Sequence, residues 1–68
     1  MKETIENFVY NFRKEKNVTQ EEFAEALGVT RQTVIAIEKG NYTPSVLLAL
    51  KISQYFTIPV ELLFKIKP

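Results

Sequence analysis

Residues 20–39 read QEEFAEALGVTRQTVIAIEK, two short segments with helical apolar spacing on either side of a glycine. Phe23, Ala24 and Leu27 fall on one face of a first helix, and Val34 and Ile37 on one face of a second. Between them Gly28 can take the left-handed backbone conformation that costs a residue with a Cβ roughly 1 to 2 kcal/mol. Ala24 is small, as it must be if the second helix is to cross close over the first. The unit is built to present the start of one helix outward.

Both helix starts are marked. Thr19 and Glu22 form a capping box, in which hydroxyl and carboxylate each satisfy an orphaned backbone N–H. Thr30 stands in the same relation to Arg31, Gln32 and Thr33, so the second helix begins with three polar side chains at its exposed end. Those side chains suit base edges in a major groove. Arg can bond the O6 and N7 of guanine, Gln the N6 and N7 of adenine, and a Thr methyl can touch thymine.

With these features in place the chain resembles the lambda-repressor-like helix-turn-helix family, the phage repressor, Cro and XRE type of transcription regulator. The residues that carry the resemblance are Thr19-Gln20, Phe23-Ala24, Leu27-Gly28-Val29-Thr30, Gln32-Thr33-Val34, Ile37-Glu38, Gly40 and Tyr42-Thr43-Pro44-Ser45, within a stretch from about Phe8 to Phe64. The resemblance implies an ion pair between Arg13 and Glu38, although arginine on general grounds is a surface residue. It implies base reading by Arg31, Gln32 and Thr33, with Ala36 offering a methyl where some relatives carry a third reading side chain. Contacts to the DNA backbone are implied for Gln20 and Thr30 on one side of the groove and for Lys39, Asn41 and Tyr42 on the other. Ile35 flanks the reading face, and a place at the edge of the core is the simpler reading for it.

Composition agrees with a small single domain over 1–68. A chain of 68 residues supports only a modest core. It has neither cysteine nor histidine, so no thiolate or imidazole chemistry is available, no metal or cofactor is expected, and a reducing compartment is consistent. No apolar run is long enough to span a bilayer, and the N-terminus lacks a signal-peptide pattern, which points to the cytoplasm. A net charge of +1 says little about nucleic acid. The distribution says more: beyond residue 30 only Glu38 and Glu61 are acidic, against Arg31, Lys39, Lys51, Lys65 and Lys67.

The rest of the chain reads as support. Ile5, Phe8, Val9 and Phe12 follow helical spacing and predict a first helix from about Glu3 to Glu15. Gly40 closes the presented helix, Pro44 and Ser45 open a fourth helix to about Tyr55 with Leu48, Ala49, Ile52 and Phe56 inward, and a short fifth helix follows Pro59 with Val60 and Leu63 inward. The fold class predicted is all-α, five helices, with a tail Phe64-Lys65-Ile66-Lys67 that alternates as a short strand does. Leu47 and Leu62 lie off the core stripes, and together with Phe64 and Ile66 of the tail they predict a homodimer interface built mainly by residues 58–68.

The function predicted is a sequence-specific DNA-binding transcription regulator, a repressor occupying a palindromic double-stranded operator as a homodimer, with no membrane partner and no small-molecule ligand. The competing reading, from a different class, is an antitoxin-like interaction module whose essential surface is the apolar C-terminal side. No catalytic set is visible.

Overall fold

The structure, a computed structural model, describes residues 3–68. Strand β1 (Thr4–Asn7) leads into α1 (Val9–Lys16), α2 (Gln20–Leu27), α3 (Arg31–Lys39), α4 (Val46–Phe56), α5 (Val60–Leu63) and strand β2 (Phe64–Lys67). The predicted five helices and the tail strand are present.

Local chemistry sets the helix limits. At the start of α2 the Thr19 hydroxyl accepts from Glu22 N at 3.0 Å and the Glu22 carboxylate accepts from Thr19 N at 2.9 Å, completing the capping box. Thr30 and Ser45 cap α3 and α4 in the same way, accepting from Thr33 N at 3.2 Å and Leu48 N at 3.1 Å. Gly28 ends α2 at φ 76° and Gly40 ends α3 at φ 81°, left-handed positions where the missing Cβ removes the strain. Helix α4 starts and stops one residue later than the sequence predicts, with Ser45 as its cap rather than its first residue.

These limits turn one set of side chains inward. Val9, Phe23, Ala24, Leu27, Val34, Ile37, Leu48, Ile52 and Leu63 form the buried core. Phe23 lies within 5.1 Å of the Tyr55 ring and 5.2 Å of the Phe56 ring, and Phe56 within 6.0 Å of Phe12, so an aromatic cluster joins α1, α2 and the end of α4. Tilted rings at these separations add attraction to the area they bury.

The N-terminus departs from the prediction. The first helix does not start at Glu3: residues 4–7 are a strand, Phe8 is the N-cap, and helix begins at Val9. Ile5 keeps helical spacing with Phe8 and Val9, but β2 supplies a partner more than fifty residues away, and antiparallel pairing wins. The register is Thr4↔Lys67, Ile5↔Ile66, Glu6↔Lys65 and Asn7↔Phe64. Because paired residues share a face and faces alternate, Asn7, Phe64, Ile5 and Ile66 lie on one side of the ribbon. Thr4, Lys67, Glu6 and Lys65 lie on the other, with Glu6 opposite Lys65.

A second correction follows from that register. Phe64, expected at an interface between copies, is instead partly buried against the chain's own core. Ile66, two residues further along the same face, is 66% exposed, and its partner Ile5 is 40% exposed. The protein body therefore ends beneath the ribbon between residues 64 and 66. Leu47 and Leu62 are exposed as expected, and Val46 and Leu50 join them.

Candidate nucleic-acid interface

Helix α3 is held at its rear and free at its front. At the rear, Glu38 takes Arg13 Nε on Oε2 at 2.6 Å, and Oε1 accepts both Arg13 Nη2 at 3.2 Å and Gln20 Nε2 at 3.1 Å. The remaining guanidinium edge donates from Nη1 to the Val18 carbonyl at 2.8 Å, and the Tyr10 ring lies 5.3 Å from Arg13 Cζ. Both charged side chains are almost wholly buried, at 7% and 5% exposure. A pair removed from water to that degree is tolerable only with its other donors and acceptors satisfied. They are: among the described residues no buried side-chain nitrogen or oxygen lacks a partner.

A second tie holds the same turn. Asn7 Nδ2 donates to the Ile37 carbonyl at 2.9 Å, while its Oδ1 accepts from Val9 N at 3.1 Å. Sequence reasoning missed Asn7. An amide two residues ahead of a helix start is a readable signal for the second bond, but nothing local to residue 7 announces a partner thirty residues on.

At the front, Arg31 and Gln32 are exposed, and Thr33 is partly buried with its hydroxyl 3.0 Å from that of Thr30. Gln32 and Ala36 lie side by side between two shallow concavities. One is lined by Gln32, Ile35, Ala36, Lys39 and Asn41, the other by Thr30, Gln32, Thr33, Ala36 and Tyr42. Ala36 leaves the floor low, and partly buried Ile35 forms one wall.

Arg31 lies elsewhere. It borders the groove between α1 and α2 together with Lys14, Thr19 and Gln20. The structure thus brings Gln32, Thr33 and Ala36 together with Thr30, Lys39, Asn41 and Tyr42, and separates Arg31 and Gln20 onto the α2 side. Gln20, expected at a phosphate, spends one amide hydrogen on Glu38. Lys14 is a basic neighbour that the sequence did not single out.

A domain that grips one helix by its last turn and leaves the first turn polar and unobstructed is a helix-presenting DNA-binding module. The chain belongs to the lambda-repressor-like helix-turn-helix family of transcription regulators, and the helix-turn-helix family model matches residues 9–63. It is 48% identical over 60 residues to an uncharacterised HTH-type transcriptional regulator of Methanocaldococcus jannaschii, covering 88% of this chain and 91% of that one. It is 31% identical over 52 residues to the cryptic phage CTXphi transcriptional repressor RstR of Vibrio cholerae, covering 76% of this chain and 47% of that protein. Among solved structures it is similar to the clp gene regulator ClgR of Corynebacterium glutamicum, with a TM-score of 0.72 and 29% identity over 76% of this chain and 55% of that one. These relatives carry the names of transcription regulators, not of enzymes. No helix among the described residues is long and apolar enough to cross a membrane.

Proposed function

We propose that the chain is a cytoplasmic repressor that occupies a palindromic operator as a homodimer. The observation that carries this is the front of α3, where Gln32 and Ala36 floor an open surface of mixed polar and apolar groups flanked by candidate backbone contacts on both sides. Gln32 reads adenine, Thr33 and Ala36 meet thymine methyls, and Arg31, at the α2 edge of the same helix end, reads guanine. Thr30 and the second amide hydrogen of Gln20 meet phosphates on the near strand, and Lys39, Asn41 and Tyr42 those on the far strand.

The homodimer is the economical way to double a short reading frame. One recognition helix reads about four or five base pairs, too few to select a site in a genome, and a twofold pair reads two half-sites on one face of the duplex. The surface proposed for the contact is Leu62, Leu47 and Ile66, to which Ile5 is added by the strand register and from which Phe64 is removed. The competing antitoxin-like role draws its support from the apolar stripe Val46, Leu47 and Leu50 on α4. A partner-binding module has no need of the polar front of α3, which favours DNA.

Arg31→Ala and Gln32→Ala are each expected to weaken operator binding by roughly 1 to 3 kcal/mol and to relax preference at particular base pairs. Lys39→Ala is expected to weaken all sequences about equally and to flatten the salt dependence. Titrations of operator and unrelated duplexes at several salt concentrations distinguish these patterns. An equal loss of specific and non-specific binding in Arg31→Ala would assign that side chain to the backbone, as its position beside Lys14 and Gln20 also allows.

A further inference from the structure

We propose that Asn7 is a positioning residue for DNA recognition: its side chain ties the last turn of α3 to the terminal ribbon and so fixes the angle at which the reading end is presented. The role rests on the DNA-reading assignment of α3 and adds to it a residue that lies at the opposite end of that helix.

The two bonds of the amide fix its orientation. Val9 N–H can only donate, so the atom facing it is Oδ1; the Ile37 carbonyl can only accept, so the atom facing it is Nδ2. Asparagine supplies an acceptor and a donor in one planar group, and no residue of the same length except Asn does so here. The Ile37 carbonyl also accepts from Gly40 N at 3.0 Å, so both of its acceptor directions are occupied at the point where intrahelical donors run out.

Leverage makes this more than a cap. Arg13 grips Glu38 from the far end of α1, and Asn7 grips Ile37 from just before its start. The first turn of α1 and the Phe8 cap lie between the two anchors, so they are more than one helical turn apart along the chain. They meet α3 at consecutive residues, one on the Ile37 carbonyl and one on the Glu38 side chain, and two anchors reaching one turn from separate places hold a crossing angle where one alone is a pivot. Asn7 is itself fixed in the ribbon opposite Phe64, and the next residue, Phe8, donates from N to the Leu63 carbonyl at 2.9 Å. Orientation of α3 is therefore set relative to the element that carries Ile5 and Ile66, and in a twofold pair formed through that element it sets the spacing of the two reading helices.

Asn7→Ser and Asn7→Asp test this in the full chain: both keep a good capping acceptor for Val9 N–H, an ionised Asp carboxylate has no donor for Ile37, and the Ser hydroxyl lies one bond short of the position from which Asn7 Nδ2 donates. The expected result is that both fold, that operator affinity falls about tenfold while affinity for an unrelated duplex is unchanged, and that amide exchange accelerates at Gly40 and Asn41. The loss is greater for Asp, whose carboxylate faces a carbonyl at the negative end of α3. Operator and unrelated duplex weakening together, an unchanged ratio between them, or failure of both variants to fold would overturn the role. Should the wild-type chain itself select no operator, the DNA-reading proposal fails on its own. Exchange at Gly40 and Asn41 in Asn7→Ser then still decides whether the tether holds α3: acceleration supports it and no change overturns it.

Discussion

Glu38→Leu is expected to destabilise the domain by about 3 to 5 kcal/mol, and Arg13→Met/Glu38→Leu by far less than the two single losses added. The single change leaves the Arg13 guanidinium buried with only the Val18 carbonyl and the face of Tyr10 for company, and strips Gln20 of its acceptor. Nearly all of the loss is the cost of an uncompensated charge, not the net worth of the pair. A chain of 68 residues has a total stability of only about 3 to 10 kcal/mol, so the single variant is expected to lose a large share of it while the double variant keeps most. Chemical denaturation of the four proteins in the cycle measures it. Additive losses would mean that the two side chains stabilise the fold independently, and that the grip on α3 is not the pair.

Leu62→Glu is expected to give a folded, largely monomeric protein whose operator affinity falls by roughly a hundredfold or more while non-specific binding changes little. In a twofold contact each substituted residue appears twice, so one charge per chain places two like charges near the axis. Leu62 is half exposed in the single chain, which is why its replacement spares the core. Deleting residues 66–68 is a poorer probe than it looks from sequence, because β2 is the strand that β1 pairs with, and the deletion removes Ile66 and Lys67 from that ladder. Sedimentation of wild type and variant checks the state directly. A wild-type chain that stays monomeric at high micromolar concentration, together with a Leu62→Glu chain that binds operator normally, would remove the dimer.

What sequence could and could not convey follows from the range of each interaction. Thr19 with Glu22, Thr30 with Thr33, and the glycines at 28 and 40 act within four residues, and the helices they bound stand where their chemistry puts them. Strand β1 has no such local signature. Four residues with one large apolar side chain cannot outvote the helical spacing of Ile5, Phe8, Val9 and Phe12, and the partner that decides the matter lies at the other end of the chain. Phe64 shows the same limit more finely. Alternation places 64 and 66 on one face, but where the core stops beneath that face is a tertiary fact.

The interface divides in the same way. That Gln32 and Ala36 share the outer face of α3 follows from helical rotation alone. That Arg31 leans to Lys14 and Gln20, and that Gln20 is bonded to Glu38, depends on how α1 and α2 pack across α3. Asn7 is the extreme case, since its partner at Ile37 is brought near only by the closed ribbon.

Selection of purified wild-type protein on random duplex DNA tests the central claim most directly, because it reports binding, sequence preference and symmetry at once. The expected result is an enriched inverted repeat whose half-site centres lie about 34 Å apart on one face of the duplex. Each half should carry an adenine whose enrichment disappears in Gln32→Ala. Recovery of unenriched input sequences, or of a lone half-site without its inverted copy, would contradict it.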